Sequence, residues 1–168
     1  MGGSRRAVPS IHKIASLAAL MLACALPRPA FAQLAQLSDL SDVSFGTIVN
    51  VTSDVSQSQT VCAYSNALFS NYTVRATGSG AGGAFTLASG AATLAYEVQW
   101  NSAANQSGGT QLTAGVSQSG FISQGVTPGC TLGLTRSGSM TVILRAAALS
   151  AAQAGSYSGT LTLMISPN

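Results

Sequence analysis

The sequence is poor in the side chains that carry most acid–base and metal chemistry. Among its 168 residues there is one lysine, Lys13, and one histidine, His12, and only 7% of the residues are charged. Both lie near the start, so residues 33–168 have no imidazole or ammonium group that could act as a base or as a metal ligand. The many serines therefore lack a group to activate them as nucleophiles. We expect no enzymatic activity, no cofactor and no metal site.

A glycine-rich stretch, GSGAGG at 78–83, is the one segment that suggests a phosphate-binding loop. No lysine follows it, and no helical pattern begins after it, so the other parts of such a loop are missing. The composition is typical of a turn between strands. We interpret it as a hairpin turn.

The formal charge of +3 comes from the first 32 residues. Four of the seven cationic side chains lie there, and Arg5-Arg6 among them also resembles a twin-arginine export signal. The remainder has a net charge of −1, from three arginines and four acids: Arg75, Arg136, Arg145, Asp39, Asp42, Asp54 and Glu97. Asp54 lies in polar surroundings that give no reason for a shifted pKa, and Glu97 is expected to face solvent. This balance gives no reason to expect nucleic acid or anionic lipid as a partner.

Residues 1–32 have the three parts of a secretory signal peptide. A positively charged start precedes an apolar run at 14–26, and Ala30-Phe31-Ala32 is a small-residue cleavage site, which makes Gln33 the first residue of the mature chain. The apolar run is too short to cross a bilayer and no second run follows, so no transmembrane segment is expected. The protein is predicted to be secreted through the periplasm.

The cysteines predict one disulfide. Removal of the leader leaves two of the three, Cys62 and Cys130. An even number in an exported chain indicates a bridge, here closing a loop of about 70 residues. Two free buried thiols are the alternative. Cys24 belongs to the leader, where residues 21–24 also resemble a lipoprotein box.

Residues 33–168 are expected to form a single all-β domain. Seven segments alternate apolar and polar residues, which is typical of half-buried strands. They are 43–51, 60–64, 72–77, 84–88, 93–100, 140–146 and 156–166. Glycine- and serine-rich breakers separate them, among them 117–125, and AAALSAAQAG at 146–155 has room for one helical turn. Many short strands and a disulfide indicate a β-sandwich.

The segment 156–166 has one apolar face and one polar face. Leu161, Leu163 and Ile165 alternate with polar residues, so they point to the same side of a strand. A strand of this kind usually has a neighbour on each side. Only two residues of the sequence follow it, so what pairs with its second edge is an open question.

Five segments, in order along the chain, resemble the spore coat protein U domain family. They are VSFGTI (43–48), TVCAYSN (60–66), YTVRATGSG (72–80), LAYEVQW (94–100) and AGSYSGTLTLMIS (154–166). The family includes subunits of archaic chaperone–usher pili. The resemblance implies an incomplete immunoglobulin-like β-sandwich completed by a donor strand in trans. It also implies a place in a cell-surface fimbrium and three kinds of partner: a periplasmic chaperone, an outer-membrane usher and other pilus subunits.

The resemblance further implies a groove where the last strand of the sandwich is missing. The apolar row of 156–166 would form one wall, and an early strand would form the other. The groove residues are then Val43, Phe45, Ile48, Leu161, Leu163 and Ile165. An open sheet edge of this kind can be filled by an extended segment of another chain. The alternative is that residues 43–48 pair with the final strand and close the sheet within the chain.

Two features depart from the family pattern. Members commonly carry a cysteine before the Phe-Gly motif, whereas none lies between Gln33 and Phe45, so that Cys62 is left with Cys130. A rod subunit also donates an alternating apolar segment, but residues 33–42 give no continuous apolar row on either strand face. Because residues 33–42 would make a poor donor strand, a tip or another chain-ending position in the pilus is favoured for this protein.

A second hypothesis places the protein in another class, as a self-complete secreted module that binds a surface or a glycan through its loops. Phe69, Trp100 and Phe121 are the candidate contact residues. For Trp100, packing in the core at a strand end is the simpler interpretation.

Overall fold

The computed structural model describes residues 1–3, 32–130 and 137–168. The chain divides into two units, Met1–Ala32 and Gln33–Asn168. Most of the first unit, including the body of the predicted signal peptide, lies outside the described residues. Within the described residues, no helix is long and apolar enough to cross a membrane.

The second unit is built from short strands and one short helix. The strands are β1 (Ala35–Ser38), β2 (Val55–Ser65), β3 (Asn71–Gly78), β4 (Thr86–Ser89), β5 (Ala92–Ala95), β6 (Glu97–Asn101), β7 (Thr110–Gln111), β8 (Ser117–Ile122), β9 (Gly138–Leu144) and β10 (Leu161–Pro167). The helix, α1, spans Ala146–Ala151 and lies within the stretch predicted to hold a helical turn. That prediction is confirmed.

The strands pair antiparallel in three sheets. A five-stranded sheet has the order β1-β2-β9-β6-β7, a three-stranded sheet has the order β10-β3-β8, and β4 pairs with β5. Alternate residues of the two larger sheets meet in one core, to which β2, β6 and β9 contribute from one side and β3 and β8 from the other. This is the sandwich arrangement that strand periodicity predicted.

Aromatic side chains join the two larger sheets at the centre of the core. Trp100 on β6 and Tyr72 on β3 are both fully buried, and the indole Nε1–H donates to the Tyr72 hydroxyl at 3.1 Å. Phe121 packs against Tyr72 with ring centroids 5.7 Å apart. Burial raises the pKa of Tyr72 to about 12, because the charged phenolate would be poorly solvated in the core.

The disulfide joins Cys62 and Cys130, with their Cα atoms 5.9 Å apart. Cys62 is fully buried on β2, and Cys130 ends a short turn, Pro128–Cys130, that follows β8. The bridge therefore ties the segment after β8 to the five-stranded sheet. It is the pairing expected from the two cysteines of residues 33–168.

Three strands formed where the sequence did not indicate them, one of which is the two-residue β7 beside β6. β1 pairs with the end of β2, and β8 lies in the stretch interpreted as a breaker, 117–125. β8 contains Gly120 at φ +92°, and its ladder with β3 shifts register between Tyr72 and Val74. Pairing with β3 thus imposes strand geometry on a serine- and glycine-rich sequence, which local composition does not predict.

Three other sequence interpretations were wrong in detail. The predicted strand 93–100 is divided at Tyr96, whose N–H bonds to the carbonyl of Phe85 rather than to a ladder partner. The predicted strand 156–166 pairs with β3 only from Leu161 onward, because Ser158 forms a bridge with Ala88 of β4 instead. The turn at 78–83 joins β3 to β4, which belong to different sheets, so it is not a hairpin turn.

The predicted strand 43–51 is absent. Gly46 has φ +62°, which glycine adopts without a Cβ penalty and which breaks the extended alternation after Phe45. The segment follows β1 and precedes β2, and it joins no sheet. Its side chains nevertheless alternate in burial, since Val43, Phe45 and Ile48 pack against the core while the residues between them are exposed.

Candidate functional site

A long groove of about 1220 Å³ opens into the core of the 33–168 unit. One side is formed by residues 40–48, and the other by residues 152–161 together with Leu163. The two sides come from segments far apart in sequence, so the groove is a product of the sandwich and not of a local motif.

The β10 side of the groove is an unfilled sheet edge. β10 is the outer strand of its sheet and pairs with β3, with Leu163 opposite Ala76. Leu161, Leu163 and Ile165 are half-buried and packed against the core, whereas Thr162 and Met164 are exposed. In an antiparallel ladder, alternate residues direct N–H and C=O away from their partner. On β10 those groups lie at the edge away from β3, which borders the groove at Leu161 and Leu163.

The opposite side is a segment that we call the strap, residues 42–50. Among the described residues, none forms a backbone–backbone hydrogen bond with it. Within the described part of the chain its peptide groups therefore have no backbone partner, and burying such groups without a partner would be costly. Both sides of the groove thus have backbone donors and acceptors that an extended chain could pair with.

The floor of the groove is the core itself. Its apolar side chains come from four elements and the link between β5 and β6: Leu87, Leu94, Tyr96, Met140, Val142, Leu144 and Leu149. Apart from Leu87, each of these side chains is at most 7% exposed, so the floor is a buried part of the core at the bottom of the groove. Of the described residues that line the groove, Asp42 is the sole one with a charge. The groove therefore suits an uncharged strand with apolar residues on one face.

The structure brings five of the six residues predicted for the groove to its lining, namely Val43, Phe45, Ile48, Leu161 and Leu163. Ile165 is not among the lining residues, and β1 lies close to β10. The floor residues were not identified from the sequence. The alternation of Met140, Val142 and Leu144 predicts a core face, but which part of the core borders the groove depends on tertiary structure.

The N-terminal segment weighed as a donor forms part of the protein's own sheet. β1 pairs with β2 from Ala35 opposite Ser65 to Ser38 opposite Cys62. Leu37 packs against the core, while Leu34 and Leu40 are nearly half exposed. These residues are therefore engaged within the chain.

The aromatic residues considered as surface contacts are not presented together. Trp100 is fully buried and Phe121 is 5% exposed, because both fill the centre of the core. Phe69 is 77% exposed beside Leu68, in a turn where Phe69 has φ +59°. The preferred interpretation of Trp100 as a core residue is correct, and the proposed contact set of three aromatic side chains does not exist as one surface.

A network of charges fixes the helix at one end of the groove. The Asp54 carboxylate accepts hydrogen bonds from the Ala146 N–H at 2.8 Å and from Nη1 of Arg145 at 2.7 Å, and Nη2 of Arg145 contacts Glu97 at 2.6 Å. The bond from Ala146 and the guanidinium of Arg145 hold the pKa of Asp54 below its ordinary value, so the expectation that its pKa is not shifted was wrong. Glu97 and Asp54 in turn raise the pKa of Arg145. The start of α1 is thereby tied to β6 and to the residue before β2.

This network predicts how stability changes in acid. Because the pKa of Asp54 is lower in the folded protein, its contribution is complete above the unfolded value of about 4 and is lost as pH falls through the folded value. Asp54→Asn should lower the free energy of unfolding at about pH 7 and have a smaller effect at about pH 3. Urea titrations at both pH values would measure this. An equal effect at both would show that the charge of Asp54 does not contribute.

Comparison with known proteins supports the fold. No protein-family model matches the chain, and no curated protein matches it. A chain in a solved structure of a chaperone–tip adhesin complex of CFA/I fimbriae biogenesis matches with a TM-score of 0.52 at 17% sequence identity. The match covers 80% of this chain and 41% of that chain, so this protein spans less than half of its structural neighbour. At this identity the likeness establishes the fold, and it confirms the predicted all-β, immunoglobulin-like sandwich.

Proposed function

We propose that residues 33–168 are a structural subunit of a surface fimbria and that the groove accepts a donor strand from a neighbouring subunit. The observation that carries this proposal is the unfilled edge of β10 facing the unpaired strap across an apolar floor. A strand inserted there would pair with backbone on both sides and cover the half-buried side chains of Leu161 and Leu163. This is strand addition in its usual physical form.

Two further observations support the assignment to fimbriae. The structural neighbour comes from a chaperone–tip adhesin complex of fimbriae, and the sequence motifs resemble the spore coat protein U domain family. On this proposal a periplasmic chaperone holds the subunit by the same groove, and an outer-membrane usher exchanges that chaperone for a neighbouring subunit. The subunit would then end on the cell surface, with no catalytic role.

A tip or other chain-ending position fits the N-terminal segment. Residues 35–38 are committed to β1, and the preceding and following leucines do not form an apolar row. A subunit that receives a strand without donating this segment would sit at an end of the assembly.

Binding of a synthetic donor strand tests the proposal. A peptide of about ten residues that alternates valine and threonine should raise the melting temperature of the purified 33–168 protein by roughly 5–10 °C at about 100 times its dissociation constant. A peptide of the same composition, with the valines in one half and the threonines in the other, is the control and should have little effect. It cannot place all its apolar groups on one strand face.

A protein that is stable alone and ignores both peptides would contradict the strand-acceptor function. The alternative of a self-complete binding module would then be preferred, with the exposed turn at Leu68 and Phe69 as its first candidate contact. The genes beside this one give an independent observation, since a chaperone and usher pair is expected there.

A further inference from the structure

Gln59 lies on the core-facing side of β2, but its side chain contacts the residue before the strap. The next residues on that face, Val61 and Ala63, are fully buried. The amide of Gln59 instead bonds to Ser41. Its Oε1 accepts from the Ser41 N–H and hydroxyl, each at 2.9 Å, and its Nε2 donates to the Ser41 carbonyl at 3.1 Å. One side chain thus pairs with both backbone groups of Ser41, as a neighbouring strand would.

The strap has a second attachment at its other end. The Ser150 hydroxyl of α1 donates to the carbonyl of Val51 at 2.9 Å. Between Ser41 and Val51, within the part of the chain that the structure describes, the backbone has no backbone partner. The position of the strap therefore depends on its two attachments and on the packing of its three half-buried side chains.

We infer that Gln59 is a positioning residue for donor-strand binding. Its amide holds the strap in place as the second wall of the groove, so that a donor meets two ordered edges. Without it, the strap must be ordered when the donor binds, and that loss of conformational freedom weakens the complex. The inference rests on the proposed function, because it assigns Gln59 a role in filling the same groove.

The test compares three variants by titration with the alternating valine–threonine peptide. Gln59→Ala should weaken binding at least fivefold while changing the melting temperature of the unfilled protein little. Gln59→Glu should bind the peptide with an affinity between those of the wild type and Gln59→Ala. A carboxylate still accepts hydrogen bonds from Ser41 but cannot donate one to its carbonyl. Gln57→Ala is the matched control: Gln57 lies two residues earlier on the same strand face, and its side chain makes no hydrogen bond to the described residues. It should bind like the wild type.

A second measurement tests, in the absence of peptide, whether Gln59 holds the strap in one position. Spin labels at Ser44 and Thr162, both exposed and on opposite sides of the groove, should give one narrow distance distribution in the wild type and a broad one in Gln59→Ala. If wild type binds and Gln59→Ala binds equally well, the inference is overturned and the proposed function stands. If wild type binds no peptide, the proposed function fails, and an unchanged label distribution in Gln59→Ala would overturn the positioning role as well.

Discussion

Leu163→Asp should abolish donor-strand binding and chaperone capture. Leu163 is half-buried, packs against the core and lines the groove. A carboxylate there would have to lose its water when a strand covers it, with no cationic partner among the described lining residues. The penalty is several kcal/mol, which corresponds to a loss of at least a hundredfold in affinity. On the proposed function, the uncaptured subunit should aggregate or be degraded in the periplasm.

Thr162→Asp is the matched control for this prediction. It introduces the same charge one residue earlier, on the exposed face of β10, opposite Thr77 of β3. Co-purification with the chaperone and peptide titration should both show a mild effect. Melting of each unfilled variant separates a binding defect from a folding defect. Equal loss of binding in both variants would contradict the assignment of the apolar face to the groove.

Removal of the disulfide should cost about 2–5 kcal/mol of unfolding free energy. The bridge spans 68 positions in sequence, so it closes a long loop and removes much conformational freedom from the unfolded chain. It also ties the turn at Cys130 to the buried Cys62. Urea titration of Cys130→Ala against wild type measures the loss. Alkylation of unreduced exported protein should label neither cysteine.

Reduction of the wild type provides the control, because it breaks the bond and leaves both side chains in place. Reduced wild type and Cys130→Ala should have similar stability, well below that of the oxidised protein. If oxidised and reduced wild type unfold at the same urea concentration, the bridge does not stabilise the domain. Two alkylated thiols in the exported protein would show that it does not form there.

Local periodicity was sufficient for the parts of the site that lie on a regular strand. The alternation of Leu161, Leu163 and Ile165 predicted their shared face, because the period of a strand fixes which side chains point together. The helical turn within 146–155 followed from the local composition, and the disulfide followed from the even number of cysteines in residues 33–168. The all-β class followed from the same alternation repeated along the chain.

Contacts between segments distant in sequence determined the features that local sequence patterns did not predict. β8 is a strand because β3 lies beside it, although Ser117–Ile122 is rich in serine and glycine. The strap is not a strand because Gly46 breaks it and no ladder partner lies beside it, although its apolar pattern resembles one. The role of Gln59 could not be predicted, since a glutamine on a strand is common and its contact with Ser41 depends on the fold. The floor residues are likewise defined by the distant segments that surround them, residues 40–48 and 152–161.

Hydrogen exchange along β10 tests the central claim most directly. In the free protein, alternate amides of 161–166 are bonded to β3 and should exchange slowly, whereas those directed to the groove should exchange fast. Addition of the alternating peptide should protect the second set and leave the first unchanged. If both sets are slow in the free protein and the peptide changes neither, the edge is already paired within the chain and the strand-acceptor account is wrong.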